Sequence, residues 1–174
     1  MLQPLPTKPL KRKPRVGDIV FCHSNGAMGR LIRIGERLRW GEHASYWNHA
    51  CIVSRVSKGI PYVIQADLKG VNEVPLSSTG EYVLVAPPEG VNVDEMMTFL
   101  KAQVGSSYGI LSILCIALDL ITWNAAPSLR RRGTWICSAL VAESLRAGGW
   151  FIPESNYGDI YTVTPAQLWS TLIH

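Results

Sequence analysis

Apolar and polar positions follow two periods along the chain. The runs "GDIVFC", "NHACIVSRV", "YVIQADL" and "EYVLVAPP" are short, rich in β-branched and aromatic residues, and bounded by glycine or proline, so they predict strands. On the second run His49, Cys51 and Val53 project to one face and Ala50 and Ile52 to the other. On the third, Val63, Gln65 and Asp67 share a face opposite Tyr62, Ile64 and Ala66. The intervening "SKGIP" predicts an antiparallel hairpin, and a loop of about three residues would set Asp67 across from His49, with Gln65 diagonal to it.

Helical spacing dominates later. "NVDEMMTFLKAQVG" places Asn92 three residues before Glu95, a capping-box spacing. In "CSALVAESL", Cys137, Leu140, Val141, Ser144 and Leu145 recur as one buried stripe, with Gly148 and Gly149 as the stop signal. "TPAQLWSTLI" offers Thr164 as cap and Pro165 at the first helical position. "YGILSILCIALDLITW", residues 108–123, is apolar throughout except Asp119. It is too short to span a bilayer and predicts a buried helix, with a lipid-facing surface as the alternative, and no transmembrane segment. One earlier segment, "GRLIRIGERLRW", sets Leu31, Ile34 and Leu38 against Arg30, Arg33 and Arg37, the pattern of a short amphipathic helix. Strands early and helices late predict an α+β fold, an antiparallel sheet packed against helices, and no βαβ alternation.

A length of 174 residues fits one domain, expected over residues 16–174, behind a flexible, basic and proline-rich arm at residues 1–15. The 47% apolar and 17% charged shares describe a globular chain and exclude a disordered one. The basic start lacks a following apolar segment, so no secretory signal is expected; the compartment stays open, with the cytoplasm or a virion as the expectation. The net charge of +4 gathers in Lys8, Lys11, Arg12, Lys13 and Arg15 and in Arg130, Arg131 and Arg132, which suits an acidic polymer. No aromatics interleave with these runs, which argues against a nucleic-acid partner.

Candidate chemistry centres on Cys137. A cysteine in the first turn of a helix meets unpaired N–H groups and partial positive charge, which favour a thiolate and a developing oxyanion; the alternative is an ordinary buried thiol. Cys22, Cys51 and Cys115 have no such placement, and the spacing of the four cysteines indicates neither a zinc site nor a disulfide framework. No cofactor or metal is called for. A nucleophilic cysteine needs a base. Among the histidines, His174 is terminal and His23 and His43 fall in expected loops, whereas His49 begins a strand. Gln65 or Asp67 could hold its ring. Asp18 is read as shaping the start of its strand. Trp47 and Trp135, each two residues before a candidate, are walls of a substrate cleft or core residues.

Taken in order, "GDIVF", "SYWNHACIV", "YVIQA", "GSSYG", "WICSALVAESL" and "TPAQL" resemble the circularly permuted branch of the NlpC-type, papain-like cysteine peptidases. The resemblance implies a permuted papain-like fold with Cys137 as nucleophile, His49 as base and Gln65 as third member, where that branch commonly has glutamate. Asp67 remains the alternative third member. It implies a substrate contact for Tyr108, which matches a tyrosine often near the cysteine. The implied reaction is cleavage of a peptide link in bacterial cell wall, peptidoglycan, with bacteriophage virion or lysis proteins as partners. Two alternatives stand beside it: a lipid acyl hydrolase or acyltransferase of the lecithin retinol acyltransferase-like type, and a binding or structural module whose catalysis has weakened at Gln65.

Overall fold

The computed structural model describes residues 12–23, 46–108, 134–151 and 163–173. Within them lie strands β1 (Ile19–His23), β2 (His49–Ser57), β3 (Ile60–Asp67), β4 (Gly70–Pro75) and β5 (Glu81–Val85), helix α1 (Val93–Ala102), the short strands β6 (Ser107–Tyr108) and β7 (Thr134–Trp135), and helices α2 (Cys137–Ala147) and α3 (Pro165–Ile173). The fold is α+β. Strands β1 to β5 form an antiparallel sheet in the order β4-β3-β2-β1-β5, while β6 and β7 pair in parallel. The expected helix at residues 29–40 and nearly all of the apolar segment at 108–123 lie outside the described residues. Among the described residues no helix is long and apolar enough to cross a membrane.

Period-two patterning sorts the strand residues into two layers. Ile19, Phe21, Ala50, Ile52, Ile64, Ala66 and Val83 share a core with Met96 and Leu100 of α1, Leu140 and Leu145 of α2, and Leu168 and Trp169 of α3. Their alternates Val20, Cys22, Cys51, Val53, Val63 and Leu84 form a second apolar layer, closed by Leu76 of a short 3-10 turn. Helix α2 departs from the expected single stripe: every residue from Cys137 to Leu145 is buried, Glu143 included. The helix is enclosed by the sheet, α1 and α3, and Glu143 pairs there with Arg146 at 2.7 Å.

The hairpin between β2 and β3 differs from the expected loop. Its turn is two residues, Lys58 and Gly59, with φ of 50° and 80°, as a tight turn matching strand twist requires. A bulge between Val53 and Arg55 then absorbs one residue of β2. The two effects cancel. Beyond the bulge Val53 pairs with Val63, Ile52 with Ile64 and Cys51 with Gln65, the register that a three-residue loop without a bulge would have produced. Ser54, displaced by the bulge and buried, donates to Glu73 at 2.6 Å and to the Tyr62 carbonyl at 3.2 Å.

Local signals account for the helix starts. Asn92 accepts from the N–H groups of Asp94 and Glu95. At α3 the bonds are reciprocal, Gln167 N–H to the Thr164 hydroxyl and Thr164 N–H to the Gln167 side chain. The end of the basic arm is tied down: Arg12 makes a two-pronged ion pair with buried Asp18, at 2.7 and 2.9 Å, and Arg15 N–H donates to the same carboxylate at 2.7 Å. Residues 12–15 therefore depart from the expected flexible arm, because a buried carboxylate demands partners. Strand β4, "GVNEVP", was not expected; Asn and Glu hide its pattern, and it forms by pairing with β3 across the Asp67–Gly70 turn.

Gly70 adopts φ of 100°, and a Cβ built there would lie 2.5 Å from the Ser106 carbonyl oxygen. Gly70→Ala meets both a disfavoured backbone and an immovable neighbour, so it should destabilise the fold by about 2–4 kcal/mol in urea titration. Gly59→Ala, at a turn with open space around it, should cost only about 1 kcal/mol.

Candidate active site

Helix α2 begins without a side-chain cap, since Ile136 stands at the N-cap position. Its first-turn amides need other acceptors. The backbone amides of Ser138 and of Ala50 in β2 lie near enough to the Cys137 sulfur to favour its thiolate. Ser138 fixes this turn by donating its hydroxyl to the Val163 carbonyl just ahead of α3. The thiol itself is 2% exposed.

His49, the first residue of β2, lies close enough to Cys137 that the charge of each side chain acts on the other. Its Nε2 lies 2.9 Å from Gln65 Oε1. An amide oxygen only accepts, so Nε2 carries a proton and Nδ1 is the nitrogen left for the sulfur. Gln65 Nε2 in turn donates to Asp67 Oδ2 at 2.9 Å. Asp67 Oδ1 accepts from the Lys69 N–H at 2.8 Å and from Asn72 Nδ2 at 2.9 Å. A continuous chain of hydrogen bonds thus runs from Asp67 through Gln65 to His49, whose ring neighbours Cys137. Asp67, the alternative third member, meets Gln65, which itself reaches the ring from its diagonal position.

Burial is the largest influence on both members of the Cys137–His49 pair and opposes charge on each. For Cys137, the field of His49, its hydrogen bond and the Ala50 and Ser138 amides outweigh burial and lower the thiol pKa below the ordinary 9.0. For His49, the field and hydrogen bond of Cys137, then the field of Cys22 and the Gln65 bond, raise the imidazole from 6.5 to about 9. The arrangement favours thiolate and imidazolium together, and the two titrate as a unit.

Cys22 is not the ordinary thiol expected. The register sets it directly opposite His49, and its sulfur lies 4.0 Å from that of Cys51. Its hydrogen bond with Cys51 is the main influence; burial opposes it, while the charge of His49 and a bond from Thr79 assist, and the pKa falls to about 7. Cys51 is pushed well above 9.0 by its bond to Cys22, then by burial. Both thiols are fully buried in the second layer. His23, expected in a loop, ends β1 with Nδ1 2.9 Å from the Tyr46 carbonyl oxygen. Cys115, His43 and His174 lie outside the described residues.

Trp47 and Trp135 belong to the main core. Trp47 packs edge-on to Tyr46 at 4.8 Å and against Trp169 at 5.9 Å. Trp135 spends its indole N–H on Gln103 at 3.0 Å and meets Phe99 edge-on. The backbone of Tyr108 pairs with Trp135, and its side chain lies outside the described residues. Sequence reasoning missed the Ala50 amide, Asn72 and the linking position of Gln65; of these only the shared face of Gln65 and Asp67 left a signal, in strand parity.

No protein-family model matches the chain, and no curated protein matches it. In structure it is similar to the metalloprotein yiiX of Escherichia coli O157:H7, described as DUF1105, with 17% identity and a TM-score of 0.59 over 92% of this chain and 94% of that one. At that identity the likeness shows the fold alone. These findings correct the family resemblance: the ordered motifs do not place the chain in the permuted NlpC-type branch. Their local roles explain why they mislead. "GDIVF" is a turn glycine at φ 90° and a carboxylate that holds Arg12 ahead of a strand, and "TPAQL" is a helix-capping sequence. Any fold can reuse such phrases.

The two pKa shifts predict a thiol that reacts early. At mildly acidic pH, about 6, Cys137 should alkylate with iodoacetamide faster than a thiol of pKa 9.0, because a lowered pKa leaves more thiolate there. His49→Ala removes the lowering charge and leaves burial, so the rate should fall by about tenfold or more, read peptide by peptide in mass spectrometry. Unchanged labelling in His49→Ala would disprove the pairing.

Proposed function

We propose that this chain is a cysteine hydrolase that cleaves an amide bond through Cys137, His49 and Gln65. The observation that carries the reading is the position of His49, within reach of the charge of Cys137 and bonded to Gln65 at 2.9 Å. Cys137 thiolate adds to the carbonyl carbon, and its C=O electrons move to oxygen. The His49 imidazolium then protonates the departing amine, leaving a thioester. Neutral His49 next takes a proton from water as that water attacks the thioester; the C–S bond breaks, the carboxylic acid is released, and Cys137 leaves as thiolate beside the imidazolium. A protonated imidazole beside the thiolate supplies the proton that an amine leaving group requires. Gln65 keeps the ring in place without adding charge.

The first substrate to test is a peptide link in bacterial cell wall, since the chain's net charge of +4 suits that anionic polymer. The structural relative is described as a metalloprotein. Among the described residues here, no three His, Cys, Asp or Glu side chains group as a metal site would require, so no step is derived through a metal.

Turnover of purified peptidoglycan, followed as released amine groups, should fall by about 10²-fold or more in Cys137→Ala and in His49→Ala. Its pH profile should rise below the ordinary thiol value of 9.0, as Cys137 ionises, and fall near 9, as His49 loses its proton. A fluorogenic fatty ester turned over in place of peptidoglycan would move the reading to lipid acyl chemistry. Full activity in Cys137→Ala would end it.

A further inference from the structure

The acidic end of the hydrogen-bond chain has a role that the Cys–His–Gln reading leaves unassigned. Asp67 stands at the end of β3 and receives three donors: Gln65 Nε2 at 2.9 Å on Oδ2, and the Lys69 N–H at 2.8 Å and Asn72 Nδ2 at 2.9 Å on Oδ1. Only a group that accepts on both oxygens satisfies that set, and a carboxylate is such a group. Asn72 is held in turn by donating to the Gly70 carbonyl at 3.1 Å, on the turn where Gly70 packs against Ser106.

A glutamine side chain has no intrinsic preference for which end faces an imidazole, because rotation of the amide exchanges oxygen and nitrogen at almost no steric cost. The choice matters chemically. With oxygen towards His49, Nε2–H is satisfied and Nδ1 is free to exchange a proton with sulfur. With nitrogen towards His49, Nε2 must accept, the proton moves to Nδ1, and an imidazolium would face the amide donor with a second donor.

We propose that Asp67 is a positioning residue of this site, which fixes the Gln65 amide with its oxygen towards His49 and so sets the imidazole tautomer that serves Cys137. The inference rests on the reading of Cys137 and His49 as the reactive pair. It explains why a neutral residue suffices as the third member: the negative charge sits one side chain further back, where it holds the amide without neutralising the imidazolium directly. It also reverses the simple expectation for Gln65→Glu. A glutamate at 65 would face the Asp67 carboxylate where Gln65 Nε2 now stands 2.9 Å from it, so two like charges would meet.

The test uses the full chain with two readouts that need no substrate: the ¹⁵N shifts of the His49 ring, which report its tautomer, and the pH profile of Cys137 alkylation. The charged or titratable groups acting on the His49 ring are Cys137 from α2 and Cys22 from β1, and neither is altered. Asp67→Asn leaves three donors sharing one acceptor oxygen, so Gln65 should turn, His49 should shift towards the Nδ1–H tautomer, and alkylation at neutral pH should drop by about tenfold. Gln65→Glu alone should also lower it. Gln65→Glu with Asp67→Asn restores one carboxylate and one amide in exchanged order, and should return both readouts towards the starting protein.

Folded Asp67→Asn with unchanged ring shifts and profile would overturn the proposal. So would Gln65→Glu alone reacting faster than the starting protein, a result that stands even if Asp67→Asn does not fold. An ordinary thiol profile in the starting protein would instead remove the reactive-pair reading, while the ¹⁵N shifts would still show whether Asp67 sets the tautomer.

Discussion

The register between β2 and β3 is the constraint on which the site depends. Cys51 opposite Gln65 places the Gln65 amide diagonal to His49, within 2.9 Å of its ring. A slip of one residue would send Gln65 to the helix-packed face and Ile64 to the other, breaking both apolar layers at once. The layers therefore hold the register, and the register holds the site. The bulge at Ser54 is part of this arrangement, because the tight Lys58–Gly59 turn alone would leave the strands one residue out of step.

The helix side of the site follows from a different economy of groups. Helix α2 has no side-chain cap, so its first amides are available to the Cys137 sulfur, and Ala50 adds another from the sheet. Sulfur in so dry a place would ordinarily stay protonated. The imidazole of His49 reverses this, and its own charge is favoured by the thiolate it stabilises. Neither member would hold its charge alone, and replacing either one alters the proton on the other.

The buried Cys22 beneath His49 adds a second thiol to the same electrostatic neighbourhood. Its pKa near 7 comes first from Cys51 and then, against burial, from the positive ring. The ring thus feels the charge of a thiol from the helix and of another from the sheet. Only the first meets the helix amides.

Much of the backbone was legible from the chain alone. Alternation in "NHACIVSRV" and "YVIQADL" determined which residues share a face, Asn92 and Thr164 marked helix starts, and early strands with late helices determined the α+β class. These are local properties, set by side-chain period and by orphaned amides at helix ends. Family-like phrases were legible too, but they encode turns and caps that many folds share, and they pointed to a family the chain does not match. The rest depended on distances between elements far apart in sequence. Parity put Gln65 and Asp67 on one face without saying which would reach His49, because that depends on the bulge at Ser54 and on β4 bringing Asn72 to Asp67. Composition likewise could not show that α2 is enclosed on every side, or that Cys22 lies opposite His49. Burial and pairing across the sheet are properties of the packed molecule, and tertiary structure alone decided them.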